Sequence, residues 1–342
     1  MTTPAAMDVL VCAAPGELVL ERRPTPKSGP GEVLLRVRRV GVCGTDMHIY
    51  RGTQPYLSYP RVMGHELAGE VVLAPAGSEL AAGDQAYVMP YLSCGACPAC
   101  AKGKTNCCMN IRVLGVHVDG GLAEYLTVPE GFVRKVEGVD LDDAAMIEFL
   151  AIGAHAARRA RIEPGQSALV VGAGPIGIAA ALFARLAGAR VTVLDGRQDR
   201  LAFCAEHLGV EKTVALGEDV AQTLSDQTGG AFFDVVFDAT GNPVAMQQGF
   251  SYVGHGGTYV LISVVAADIT FSDPEFHKRE MSLLGSRNAT IEDFEHVLAT
   301  IRAGQVPTAV LNTHKASLRD LAGALPGWME PSAGVIKAIV TC

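Results

Sequence analysis

Apolar residues along this chain fall into two regimes. From Met7 to Val40 they come in short runs, of which Val33 to Val37 (VLLRV) is the clearest, separated by the Pro and Gly punctuation of Pro24 to Gly31. That pattern predicts an antiparallel β start. Val113 to Val128 continues it as strand, turn at Asp119-Gly120-Gly121, and strand. Leu141 to Arg161 changes to helical spacing, with Ala145, Ile152 and Ala156 among its apolar positions, and carries Glu148. From Ser167 to about Gly285, strands and helices alternate: Ala168 to Val171, Val191 to Leu194, a helix through Arg200 to Leu208, Val235 to Asp238, a helix near Asn242 to Val253, and Thr258 to Ser263. Alternation at this interval predicts an α/β class with a doubly wound parallel sheet covered by helices on both faces. Beyond Ser286 a helical segment, Ile291 to Ala303, leads to a terminal strand, Val335 to Val340. This tail is expected to rejoin the first domain, because the doubly wound half is already complete.

The first strand of that half ends in chemistry. ALVVGAGPIG (168 to 177) is four apolar residues followed by Gly172, Gly174 and Gly177, a G-x-G-x-x-G that opens a helix. Gly172 allows the tight turn, Gly174 lets the backbone approach a pyrophosphate, and Gly177 lets the helix pack closely on the strand. The helix amino terminus, with Pro175 and Ile176 in its first turn, offers free N–H groups to the phosphates. Asp195 sits where the second strand ends, placed to accept hydrogen bonds from a ribose diol. A carboxylate there repels the extra phosphate of NADP, so NAD is the expected cofactor. Arg197 and Arg200 pull the other way, because guanidinium groups can hold a 2′-phosphate.

Composition narrows the class. At 342 residues there is material for about two domains, and 49% hydrophobic against 19% charged residues describes a globular chain. Lys plus Arg number 28 against 36 Asp plus Glu, a net charge of −8 that argues against nucleic acid as a partner. The amino terminus lacks a basic start followed by a long apolar run, and no stretch nears the ~18 apolar residues of a membrane span. The expected location is cytoplasmic. Five of the nine cysteines crowd between Cys94 and Cys108 in CGACPACAKGKTNCC. Cys94, Cys97, Cys100 and Cys108 have the spacing that presents four sulfurs tetrahedrally to one ion, a closed and therefore structural zinc site. Cys107 is adjacent, but neighbouring side chains diverge, so one of Cys107 and Cys108 reaches the ion. Cys43, His65 and Glu66 offer a thiolate, an imidazole and a carboxylate, a mixed set that suits a zinc ion with room for a further ligand. Singly they read as a buried small residue, a structural histidine and a surface acid.

Six stretches spread over essentially the whole chain carry a resemblance: CGTDMH (43 to 48), GHE (64 to 66), the cysteine segment, DGGLAEY (119 to 125), MIEFLAIGAHA (146 to 156) and GAGPIG. Together they resemble the zinc-dependent medium-chain dehydrogenases, and within them the sorbitol and polyol branch. The resemblance implies that Cys43, His65 and Glu66 hold a catalytic zinc, that Glu148 is the acid beside the water or substrate, and that Thr45 and His48 carry the substrate proton outwards through the cofactor ribose. It implies a cofactor set of Gly172, Gly174, Pro175, Ile176, Gly177, Asp195, Arg200, Thr240, Ser263 and Arg287. Residues 1–152 and 287–342 would form a GroES-like catalytic domain with a structural zinc lobe over 90–115, and 153–286 a Rossmann domain, with the active site in the cleft between them. A homodimer or homotetramer joined by an edge strand near Met281 to Gly285 is also implied.

A closer likeness lies in GTQPYLSYPRVMGHE and FSDPEFHKREMSLLGSRNAT (271 to 290), which look like bacterial hexonate 5-dehydrogenases acting on L-galactonate, L-gulonate or L-idonate. The expected reaction is then transfer of a hydride from a secondary hydroxyl to NAD, giving a ketone. An aldonate carboxylate needs a cationic or strongly donating partner. Candidates are His117, His277, Lys278 and Arg287. Neutral-polyol, threonine or butanediol dehydrogenases are the alternatives within the enzyme class, and a catalytically silent binding or structural relative is the alternative outside it.

Overall fold

The computed structural model describes residues 3–55 and 57–342. Tyr56, inside the stretch that carries the closer likeness, lies outside the described residues. The chain divides into two compact units, Met1–Glu148 with Val297–Cys342, and Phe149–His296. The divisions fall inside two helices, Ile147–Ala160 and Ile291–Arg302, four residues before the first boundary expected from the sequence and ten after the second.

The first unit is built on strands. Glu32–Val42 lies at the centre of its seven-stranded sheet, antiparallel to Glu66–Leu73 on one side and to Lys337–Thr341 on the other. The register sets Gly41 opposite Glu66 and Val42 opposite Ala338. The end of the central strand, the start of the second and the start of the last therefore meet at one corner, and the terminal strand does pair with the opening half of the chain. Beneath them lies a core that includes Val33, Leu35, Val37, Val40, Leu67 and Val340, all buried. Between Val113 and Val128 the structure is less regular than the alternation predicts, with strands only at Arg112–Val113 and Tyr125–Pro129. The reason is local. A side chain at Gly115 or Gly120 would meet the backbone of Gly64 within 3 Å, so this stretch packs as a loop against the segment that carries His65.

The second unit is a six-stranded sheet in which every pairing is parallel. From edge to edge the strands are Lys212–Ala215, Arg190–Asp195, Ser167–Val171, Phe233–Asp238, Val253–Leu261 and Ser282–Gly285. Chain order reverses at Ser167–Val171, and the crevice at such a reversal, beyond the carboxyl ends of the strands, is where open α/β sheets bind ligands. That is where the glycine turn sits. The single long helix expected over Leu141 to Arg161 is two, Leu141–Ala144 and Ile147–Ala160, the first capped by Asp140 accepting from the Asp143 N–H. No helix among the described residues is long and apolar enough to cross a membrane.

Candidate active site and metal centres

The first metal cluster follows from the corner just described. Cys43 follows the central strand and caps the helix Gly44–Arg51, whose start is held by Asp46: one oxygen accepts from the Cys43 N–H at 2.9 Å and the other from the Gly64 N–H at 3.1 Å. Asp46 is buried and its Oδ1 lies 3.8 Å from His65 Nδ1. It therefore braces both sides of the site. Ligand atoms of Cys43, His65 and Glu66 all lie within 4.8 Å of one another. Glu66 is fully buried, and a Cβ at Gly41 would come to 2.0 Å from its Oε2, so glycine is required opposite it. Both Glu66 oxygens accept hydrogen bonds from Lys337 Nζ at 2.7 Å, and Lys337 also reaches the Val42 carbonyl at 3.3 Å.

The electrostatics favour a cation here. Burial opposes charge on His65, yet Asp46, Cys43 and Glu148 outweigh it and hold the imidazole well above its ordinary pKa. Among the described residues His65 Nδ1, which is buried, has no hydrogen-bond partner. A sulfur, an imidazole and a carboxylate gathered this closely are the donors that zinc takes, so the residues fit the metal. Glu148, in the first turn of Ile147–Ala160, is buried and accepts a hydrogen bond from the Tyr91 hydroxyl. Burial is the main reason its carboxyl is pushed up to about 7; the Glu66 charge adds to this, while His65 and Tyr91 oppose it. Tyr91 and Lys337, like Asp46, were not among the residues singled out in the sequence.

Thr45 and His48 are three residues apart on the helix Gly44–Arg51, Thr45 half-buried and His48 exposed. Thr53 Oγ1 lies 3.3 Å from the His48 carbonyl and 2.9 Å from His48 Nδ1. With the threonine hydroxyl donating to the carbonyl, Nδ1 donates to the threonine oxygen. Nε2 is then the ring atom left to take a proton.

The second cluster joins Cys94, Cys97, Cys100 and Cys108, again within 4.8 Å. The sulfurs of Cys97 and Cys100 are 3.5 Å apart, those of Cys94 and Cys108 3.5 Å, and those of Cys97 and Cys108 3.9 Å. A disulfide needs about 2.05 Å, whereas zinc–sulfur bonds of about 2.3 Å in a tetrahedron separate sulfurs by roughly 3.8 Å. Backbone N–H groups also point at the sulfurs, from Cys94 to Cys108 at 3.2 Å and from Met109 to Cys97 at 3.5 Å. Those of Ala96 and Cys97 bring the Cys94 thiol down to about 6. Cys108 is buried inside the set, while Cys107 is exposed and outside it.

In the second unit Gly172 has φ +94° and donates to the Leu194 carbonyl at 2.8 Å, and Gly174 caps the helix Pro175–Leu186. A Cβ on Gly177 would lie 1.7 Å from the Gly172 carbonyl oxygen, which gives the third glycine its packing reason. Asp195 ends its strand and accepts from the Ala173 and Arg197 N–H groups at 2.5 and 2.7 Å. Beside it a cleft is lined by Leu194, Leu216, Thr240, Ala245 and Tyr252, of which only Thr240 had been singled out. Thr240 donates to Asp238, and the Ser263 N–H to the Asp238 carbonyl at 3.4 Å. Pro175, Ile176 and Ser263 are half-buried and Arg287 exposed; Arg200 is buried at 6% exposure. Of the candidate carboxylate partners, His117 belongs to the unit of the first cluster, where its Nδ1 accepts from the Val113 N–H at 3.1 Å. His277 and Lys278 end the helix Asp273–Lys278 in the other unit, which also holds Arg287.

Two family descriptions match the chain, the alcohol dehydrogenase GroES-like domain over residues 29–138 and the zinc-binding dehydrogenase over 175–303. The chain belongs to the zinc-type alcohol and polyol dehydrogenases. It is 44% identical to the L-galactonate-5-dehydrogenase of Escherichia coli K12, over 98% of this chain and 99% of that one. An alcohol dehydrogenase from E. coli CFT073, solved with NADH, superposes with a TM-score of 0.93 at 28% identity, covering 99% of this chain and 100% of the other. A zinc-binding dehydrogenase from Sinorhizobium meliloti, solved with NADP, gives 0.92 at 27% identity, with the same coverage.

Proposed function

We propose that the chain transfers a hydride between NAD and a secondary alcohol of a sugar acid, at C5 of an L-galactonate or L-gulonate type substrate, interconverting it with the keto acid. The observation that carries the alcohol chemistry is the gathering of half-buried Cys43 with buried His65 and Glu66, and Glu148 beside them. The sugar-acid assignment is supported by the 44% identity to an L-galactonate dehydrogenase along the full chain.

Zinc held by Cys43, His65 and Glu66 would lower the pKa of a hydroxyl brought to it, and NAD would supply the hydride acceptor. The remaining work falls to the chain. Thr45 Oγ1 receives the proton of the substrate hydroxyl by hydrogen bond, and the exposed His48, through Nε2, releases it to solvent. Glu148 orients the reacting group from its buried position. Asp195 accepts from the ribose hydroxyls, and the N–H groups after Gly172 meet the pyrophosphate. The four-cysteine lobe has no open position and serves stability. One of His117, His277, Lys278 and Arg287 pairs with the substrate carboxylate.

In this reading the molecule is a homodimer or homotetramer joined along Ser282–Gly285, the outer strand of the parallel sheet, which exposes Leu283. The nine thiols of the structure fit a reducing compartment, and the cytoplasm is the proposed location.

A panel of NAD-linked oxidations of L-galactonate, L-gulonate, sorbitol, L-threonine and 2,3-butanediol tests the proposal. The aldonates are expected to exceed the others in kcat/KM by at least about 100-fold, the scale on which a site built for a polar group rejects substrates lacking it. Preference for sorbitol or butanediol would overturn the sugar-acid reading and leave the alcohol chemistry standing.

A further inference from the structure

The proposed reaction uses Glu148 but leaves open what aims its carboxylate. Glu148 lies in the first turn of the helix Ile147–Ala160. The partner comes from a strand 57 residues earlier in the chain: the Tyr91 hydroxyl donates to Glu148 Oε1, with both groups buried. Tyr91 is held in turn by the short pairing of Tyr91–Leu92 with Arg112–Val113, at the root of the cysteine lobe. Burial, then the charge of Glu148, keeps the phenol well above its ordinary pKa, with smaller contributions from Cys43 and Glu66. The phenol thus remains a donor throughout the working range and sits within reach of the first cluster's field.

We propose that Tyr91 is a positioning residue for this reaction. Its hydroxyl engages one oxygen of Glu148 and turns the other towards the reacting hydroxyl. This rests on the role given to Glu148 above. A buried hydrogen bond of this kind is costly to leave unmade, and breaking it frees the carboxyl group to rotate. Tyr91→Phe keeps the ring and its packing and removes only the donor.

The test is a double-mutant cycle with Glu148→Gln, read on the panel substrate of highest turnover, with zinc content and NAD affinity measured on each variant. Tyr91→Phe is expected to lower kcat about 10- to 100-fold with KM nearly unchanged, and to cost less than about twofold in the Glu148→Gln background. A Tyr91→Phe enzyme within twofold of wild type, or one equally impaired in both backgrounds, overturns the positioning role while leaving Glu148 in place. A fully active Glu148→Gln enzyme overturns the role of Glu148 and with it that of Tyr91. A second readout needs neither turnover nor metal. In infrared spectra of the metal-free wild-type chain, the carboxyl band lost in Glu148→Gln is expected to shift when the tyrosines are replaced by 3-fluorotyrosine, a stronger donor. An unmoved band overturns the proposal even if Tyr91→Phe does not fold.

Discussion

Lys337 Nζ lies 2.7 Å from each carboxylate oxygen of Glu66, and both side chains are buried, at 1% and 0% exposure. A carboxylate read from sequence as a metal ligand is thus already engaged twice. The effect of Lys337 on Glu66 is to hold the carboxylate in place and to temper the charge it offers a cation.

Replacing Lys337 by Met is expected to remove the cation from which both Glu66 oxygens accept, at a cost of about 3–5 kcal/mol in the metal-free protein. Zinc would restore the missing positive charge, so the loss is expected to be smaller in the metal-loaded protein. Urea denaturation with and without zinc measures the difference. Equal losses in both states would mean that Glu66 and the metal do not interact.

Glu148 gives a pH dependence with a definite sign. Its carboxyl rises from an ordinary value of 4.5 to about 7 in the fold, chiefly through burial. The folded protein therefore keeps a proton that the unfolded chain has lost, and stability falls as pH rises between those two values. Glu148→Gln, neutral throughout, is expected to flatten that decline in the metal-free protein, measured by denaturation at pH 5 and pH 7.5. A slope unchanged by the substitution would contradict the assignment of the shift to Glu148.

Asp195→Ala removes the acceptor at the end of Arg190–Asp195 and the negative charge that opposes a 2′-phosphate. NAD affinity is expected to fall about tenfold, and the preference for NAD over NADP to narrow. Calorimetric titration with NAD and with NADP measures both affinities. An unchanged ratio would contradict the role given to Asp195.

Gly177→Ala places a methyl group where the Gly172 carbonyl oxygen stands, 1.7 Å away. The turn must open to admit it. Loss of NAD binding together with at least about 2 kcal/mol of stability is expected from thermal denaturation and titration. Unaltered binding would show that the turn is not the phosphate site.

What the sequence could and could not reveal follows from chain separation. Cys94, Cys97, Cys100 and Cys108 are close along the chain, and so are Gly172, Gly174 and Gly177, so spacing alone carried their geometry. Lys337 meets Glu66 across 271 residues, and Tyr91 meets Glu148 across 57. A buried lysine in a terminal apolar strand and a tyrosine before a cysteine run carry no local signal of such partners; only strand register brings them together. Asp46 was within reach of inspection, since an acid three residues after Cys43 matches a helix-start pattern. The break between Leu141–Ala144 and Ile147–Ala160 left no trace in the sequence, because apolar periodicity runs through Ala145 and Met146, both buried.

The most direct measurement is zinc content set beside turnover in two variants. Wild-type protein is expected to hold two zinc ions per chain, consistent with the two clusters. Cys43→Ala is expected to keep the fold and one zinc and to lose turnover, whereas Cys97→Ala is expected to lose stability or assembly first, with turnover persisting in whatever remains folded. Full turnover in Cys43→Ala, or a Cys97→Ala protein that is stable but inactive, would contradict the assignment of the chemistry to Cys43, His65 and Glu66.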